Sequence, residues 1–396
     1  MKFAHISDVH IGGWRESKLT ELGILAFENV IEICIKENTA FLLIAGDLFN
    51  TSMPSIDLIK RTASILKKLK NKAISCYIIP GSHDYSPSGK TMLDVLEKAG
   101  LVENVVKLDK NKLKFTLDKT GIKITGLYGK KGALESFTYK NLDKKNLEQE
   151  KGFKIFMFHT LLNELKPKDL EMVEADSISI LPKNFDYYAG GHPHFVYSKK
   201  HKGYGIINYP GPLFPNNFKE LEELKNGGMY LVEVKGKETN IKHIPIKIKD
   251  VLSFDINADN KNPKDIEKEV LDISKKNVKD KIVTLRIAGI LREGKPSDIN
   301  FNEILNKFDV YYILKNTTKL KAKEFEDTKT SIRENIEEEI INENLGKLKI
   351  MNKNEEKKII LELINILNKD KNEGETNVTF ENRIIEDVDK ILKDDN

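Results

Sequence analysis

The sequence predicts an α/β protein: a four-layer α/β/β/α sandwich, then a small α+β module and a helical C-terminal tail. Three observations predict it. Apolar strand-like runs alternate with amphipathic helices early in the chain, a second series of strands follows at closer spacing, and the pattern changes again near Asp250.

The opening stretch reads as strand over residues 2–7, helix over 19–36, strand over 41–45, helix over 56–70 and strand over 73–79. In the first helix Leu22, Leu25, Ala26, Val30 and Ile33 recur at three- and four-residue spacing, which marks one core-facing stripe. Strands that alternate with helices make a sheet covered by helices. Further strands are expected at 122–128, 154–158, 187–189, 205–209, 229–234 and 241–248, with fewer helices between them. That spacing predicts a second sheet, mixed or antiparallel, packed on the same core.

Beyond Asp250 the order is strand 251–256, helix 263–275, strand 282–288, helix 299–307 and strand 310–315. The expected partition is therefore 1–249, 250–324 and 325–396. The last part is polar, with helical spacing at Ile336, Ile340, Ile341 and Leu345 and again at Ile359, Ile360, Leu363, Ile364 and Leu367. It carries too little apolar surface for a core of its own. A loop at 368–377 leads to a last amphipathic segment over 384–392.

Composition excludes some classes. The chain has 396 residues, enough for more than one domain, and no run of about eighteen apolar residues that could span a bilayer. Its N-terminus, MKFAHISDVH, lacks an apolar signal-peptide core, so a cytoplasmic protein is expected. A net charge of +4, from 65 basic and 61 acidic residues, does not announce a nucleic-acid binder, so any such face must come from local clustering. Cys34 and Cys76 lie in apolar runs without CxxC spacing and read as buried reduced thiols.

Five segments place metal-binding side chains just after an apolar strand: Asp8-Val9-His10, Gly46-Asp47, Gly81-Ser82-His83-Asp84, His159, and Gly191-His192-Pro193-His194. Two residues of separation on an extended chain aim both side chains to one side, so Asp8 with His10, and His192 with His194, can each serve one ion. Glycine before Asp47 permits a tight exit from the strand. Five of the eight histidines fall in these segments, which leaves His5, His201 and His243 as ordinary core or surface residues. Carboxylates mixed with imidazoles suit Mn²⁺, Fe²⁺ or Zn²⁺ better than Ca²⁺, and no thiolate biases the set towards zinc.

This ordered set, DxH, GD, GxHD, a single His and GHxH, resembles the calcineurin-like metallophosphoesterases over about the first 245 residues. The module after Asp250 and the helical tail look like those of the DNA double-strand-break repair nucleases of the SbcD and meiotic-recombination type. The resemblance implies a metallophosphoesterase sandwich with a DNA-binding cap, and a metal-dependent DNA phosphodiesterase that holds two divalent ions, with Mn²⁺ the favoured metal. It implies that Asp8, His10 and His194 hold one ion, His159 and His192 the other, and that Asp47 bridges them. His83 would stabilise the transition state or protonate the leaving oxygen, with Asp84 orienting its ring. Implied partners are DNA, a coiled-coil ABC ATPase bound by the tail, and a second copy of the chain paired through helices near 19–36.

Two positions depart from the family pattern. Ser82 stands where the family has an Asn that supplies an amide oxygen to the second metal, and Pro212 follows Gly211 where relatives have Ser. The shorter Ser82 hydroxyl leaves room for a water in that shell. Candidate phosphate contacts are Arg15, Lys130, Lys131, Lys199, Lys200, Lys202, Lys275, Lys276, Lys279 and Lys281, each set against the ordinary solvated surface of a lysine-rich chain. Two other readings stay open: a small-nucleotide or protein phosphoesterase of the same superfamily, and a scaffold whose metal site is weakened at Ser82.

Overall fold

The structure, a computed structural model, describes residues 1–86, 90–130, 135–236, 238–323, 353–371 and 377–393. Strand β1 (Lys2–Ile6) leads through helix α1 (Ser17–Lys36) to β2 (Phe41–Ala45), α2 (Ile56–Asn71), β3 (Ser75–Ile79), α3 (Met92–Lys98) and β4 (Glu103–Asn104). A small hairpin follows, β5 (Leu108–Asp109) with β6 (Lys112–Leu113), then β7 (Thr116–Leu117), β8 (Lys123–Gly126), α4 (Glu135–Lys140) and α5 (Lys145–Gln149). Next come β9 (Lys154–His159), β10 (Tyr187–Gly191), β11 (Val196–Lys200), β12 (Ile206–Pro210), α6 (Phe218–Glu223), β13 (Gly227–Lys235) and β14 (Glu238–Ile246).

These strands form two six-stranded sheets, ordered β14-β13-β1-β2-β3-β4 and β11-β12-β10-β9-β8-β7. The first is parallel through β1, β2 and β3 and ends in the antiparallel hairpin β13–β14. The second is mixed, as its spacing predicted: β8, β9, β10 and β12 are parallel, while β7 and β11 run antiparallel at its edges.

Period-two alternation distributes the side chains of each strand between layers. In β2, Leu42 and Ile44 pack against α1 and α2, whereas Phe41, Leu43 and Ala45 face the second sheet. In β9, Ile155 and Met157 meet the first sheet, while Phe156 and Phe158 join Tyr139 of α4 and Leu147 of α5 on the far side. The order α, β, β, α follows from these three apolar clusters. A strand buried on both faces must be apolar throughout, which is why FLLIA and KIFMF lack polar alternation. Cys34 and Cys76 are both buried, and burial pushes the Cys34 thiol up to about 12.

After β14 the chain forms β15 (Val251–Asn257), α7 (Pro263–Ser274), β16 (Ile282–Leu291), α8 (Phe301–Leu305), β17 (Tyr312–Asn316) and β18 (Leu320–Ala322). Helix α7 starts on a capping box in which Asn262 and Asp265 satisfy each other's backbone N–H, with Pro263 in the first turn. This module has its own apolar cluster, with Ile256, Ile266, Val270, Val283, Leu285 and Ile304 at its centre. It seats on the first layer: Val251 and Ile282 join the α1–α2 cluster, and Lys18 and Tyr311 exchange hydrogen bonds of 3.1 and 3.0 Å.

Helices α9 (Lys353–Leu367) and α10 (Asn377–Lys393) pack on each other, with Lys369 Nζ 2.8 Å from Asp387. The apolar stripe expected at Ile336 to Leu345 and the middle of the loop after residue 368 lie outside the described residues. Among the described residues, no helix is long and apolar enough to cross a membrane.

Candidate metal centre

Each of the five segments follows the carboxyl end of a strand, and the two sheets bring those ends together. Asp8, His10, Asp47 and His192 have positive φ angles of 51, 47, 54 and 96°, a region that side chains other than glycine rarely adopt. Cross-links between the loops over-determine them: Asp8 N donates to Gly46 O at 3.1 Å, His10 N to Asp47 O at 3.0 Å and Ile11 N to Leu48 O at 3.0 Å. Glycine is needed at two positions beside them. A Cβ on Gly46 would sit 2.2 Å from His159 Nδ1, and one on Gly191 would sit 2.1 Å from Ala45 O.

The side chains converge in three overlapping groups: Asp8 with His10 and His194, Asp8 with Asp47 and His159, and His10 with Asp47 and His83. His10 Nε2 and His194 Nε2 lie 3.2 Å apart. Asp47 Oδ2 is 3.2 Å from His159 Nε2 and 3.7 Å from His10 Nε2, and Asp8 Oδ1 is 3.6 Å from His194 Nε2. Asp8, His10 and Asp47 each belong to two of the three groups.

This donor set fits divalent cations. His159 donates its Nδ1 proton to Ala45 O at 2.8 Å, which leaves Nε2 as the free lone pair, buried and without a partner in hydrogen-bonding geometry. His194 turns Nδ1 to Glu220 Oε1 at 2.8 Å, so its Nε2 also faces inward. Inward nitrogens and carboxylates this close need a positive charge between them. Protons supply it where no cation does. Burial opposes charge on His159, but Asp47 outweighs it and raises the pKa to about 9; burial likewise opposes charge on His194, but Asp8 and Glu220 raise it to about 10. His10 goes the other way, lowered to about 4 by burial, and stays neutral.

Ser82 is buried and its Oγ donates to Asp47 Oδ2 at 3.3 Å. His83 N donates to Asp47 Oδ1 at 2.7 Å, and its Nδ1 meets Asn50 O at 2.8 Å, so Nε2 is the nitrogen left for the site. The expectation that Asp84 orients the His83 ring is corrected. Its carboxylate instead accepts the N–H groups of Leu48, Phe49 and Gly81, each at 3.1 Å, and ties the second and third loops together. Asn50 O orients the ring.

His192 stands apart from its neighbour. Its backbone N donates to both Asp8 oxygens at 3.1 Å, while its exposed ring lies against that of His159, with 5.2 Å between centroids, and joins none of the three groups. Glu220 was missed by the sequence reading. Its one signal is Asn217 three residues earlier, whose side chain caps α6 by accepting Glu220 N at 2.9 Å.

The basic candidates divide. Lys275 and Lys279 are paired with Asp272 and Asp309, and Lys276 lies over the Phe254 ring. Arg15, Lys199, Lys200 and Lys202 are exposed, and Lys281 Nζ donates to Asn277 O. Lys130 sits next to the site, because Gly129 packs against the His159 ring, and its ammonium lies 5.1 Å from the Tyr128 centroid and 5.8 Å from that of Tyr85. Lys131 lies outside the described residues.

Residues 1–195 match the Calcineurin-like phosphoesterase family. The chain is also similar to proteins named DNA double-strand break repair protein Mre11. That of Methanococcus maripaludis is 30% identical over 287 residues, covering 69% of this chain and 73% of its own. That of Archaeoglobus fulgidus is 26% identical over 315 residues, covering 72% and 68%. That of Sulfolobus acidocaldarius is 27% identical over 377 residues, covering 92% and 95%.

Proposed function

The chain belongs to the calcineurin-like phosphoesterase family, in the branch of the archaeal Mre11 proteins, and from that premise we propose that it hydrolyses DNA phosphodiester bonds during double-strand-break repair. The observation that carries the reading is the convergence of Asp8, His10, Asp47, His159 and His194 at the strand ends of two sheets. In this reading Asp8, His10 and His194 would hold one divalent ion and His159 and His192 a second, with Asp47 as a donor to each. Carboxylate and imidazole donors without thiolate favour Mn²⁺. Such a pair of ions, when bound, supplies a Lewis acid for the phosphate oxygens and an activated water for in-line attack.

The chain's own residues do the rest. Ser82 and the His83 N–H hold the Asp47 carboxylate, and Glu220 and Ala45 O hold His194 and His159 with Nε2 inward. His83 delivers a proton from Nε2 to the leaving oxygen while Asn50 O keeps its ring aimed. Lys130 binds a DNA phosphate beside the scissile one. Residues 1–249 form the nuclease part, 250–324 a cap that guides DNA, and 325–396 a tail for the coiled coil of an ABC ATPase; the working form is an intracellular homodimer. Exposed Leu361 and Leu367 on α9 support the tail assignment. A charged residue at Leu367 would then abolish ATPase capture and leave DNA cleavage unchanged, whereas unchanged capture would exclude this docking site.

The function is tested with purified chain on labelled double- and single-stranded DNA across a series of divalent metals. DNA hydrolysis that requires metal, strongest with Mn²⁺, is expected. Hydrolysis confined to mononucleotide or phosphoprotein substrates would transfer the reading to another phosphoesterase. No hydrolysis and no bound metal would make the chain a scaffold.

A further inference from the structure

Helix α6 stands between the metal-binding cluster and the cap, and one acid on each side ties it to both. Glu220 faces the cluster, where its Oε1 lies 2.8 Å from His194 Nδ1. Two residues on, about 200° round the helix, Glu222 faces the cap. There Arg286 of β16 grips it in a forked pair, with Nε 3.2 Å from both carboxylate oxygens and Nη2 on Oε2. The same guanidinium lies over the Phe218 ring, 5.2 Å from its centroid. Both acids are largely buried, with side-chain exposures of 14% each. A helix of six residues cannot hold itself in water, so its position is set by what grips it. On the nuclease side the grip is Asn216 N on Glu220 Oε2 at 2.7 Å and the Asn217 cap; on the cap side it is Arg286.

We propose that Arg286 is a positioning residue for the metal site: by gripping Glu222 it sets α6 so that Glu220 fixes the His194 ring, and the seating of the cap thereby tunes metal affinity. The inference rests on the metal-dependent reading above. Carboxylates that orient a ligating imidazole typically contribute 10- to 100-fold in metal affinity, and a residue acting one step further out falls at the lower end of that range. Affinity and cap seating are then linked reciprocally, so metal binding also tightens the cap.

The test is Mn²⁺ titration of the full chain without DNA, followed by calorimetry and by electron paramagnetic resonance of free Mn²⁺. Arg286→Ala and Glu222→Ala should each weaken one of the two Mn²⁺ sites by roughly 10-fold, as Glu220→Gln does more strongly. The charge-swapped pair Arg286→Glu with Glu222→Arg should recover most of the loss. Arg286→Lys, which keeps the charge but not the fork, gives an intermediate in case the alanine variants fold poorly. Lys261→Ala, which breaks a pair with Glu269 inside the cap, should leave affinity unchanged. Wild-type affinity in folded Arg286→Ala and Glu222→Ala, with Glu220→Gln still weakened, would overturn the proposal. Wild-type chain that binds no Mn²⁺ would overturn the metal-dependent reading itself.

Discussion

Asp47 Oδ2 lies 3.2 Å from His159 Nε2, and each is held from behind, Asp47 by the His83 N–H and His159 by Ala45 O. Neither can withdraw, so without a cation the contact is relieved by a proton on His159. Burial alone would deny it that proton, but the carboxylates raise the pKa of His159 to about 9 and that of His194 to about 10, both above the ordinary 6.5. A metal must displace these protons. Mn²⁺ affinity should therefore climb with pH until it levels off above about 9 to 10, and calorimetry in buffers of different ionisation enthalpy should register proton release at neutral pH. The metal-free protein should follow the same sign: the stability from these two charges is fully present below about 6.5 and lost as pH rises through about 9 and 10. Affinity independent of pH between 6 and 9 would contradict this, on the order of magnitude of these shifts.

His83→Ala should keep metal and lose turnover. Its ring is aimed by Asn50 O, and loss of general acid help costs about 10²–10⁴-fold in kcat. Metal content by plasma emission is the control. Loss of an ion in this variant would make His83 a ligand, a role its proximity to His10 and Asp47 permits.

Asp84→Ala should act on stability first. Removing the carboxylate strands three backbone N–H groups, those of Leu48, Phe49 and Gly81, in a buried site. Each unsatisfied donor costs about 1–3 kcal/mol, so the melting temperature should fall by several degrees before any chemistry is considered. A variant with wild-type melting temperature and a pure kcat defect would return Asp84 to the catalytic role.

Lys130→Ala should weaken DNA binding without touching hydrolysis of a small phosphodiester such as bis-p-nitrophenyl phosphate. One lost phosphate contact lowers the slope of log K against log salt by about 1. An unchanged slope, with KM for DNA unchanged, would make Lys130 a structural cation resting between Tyr128 and Tyr85.

The convergence of Asp8, His10, Asp47, His159 and His194 was legible because their segments follow apolar runs that can only be buried strands, and strand ends are where such sheets present their side chains. Helix α1 and the strands flanking it were legible for the same reason of period. His192 and His194 looked equivalent from spacing alone. The φ of 96° at His192 breaks the extended geometry on which that equivalence rested, and of the two only His194 joins one of the three groups. The family resemblance gave Asp84 the task of orienting the His83 ring, but its partners are backbone N–H groups, which no side-chain pattern reveals. Glu220 lies on a six-residue helix among several acids, and only the tertiary fold selects it. The short helices α4 and α5 were invisible because neither is long enough to display a period.

Whether two ions share Asp47 is read by anomalous diffraction from crystals grown with Mn²⁺. Two anomalous peaks about 3.5–4 Å apart are expected, one contacting Asp8, His10 and His194, the other His159 and His192, with Asp47 touching both. A single peak, or two peaks of which only one touches Asp47, would contradict it.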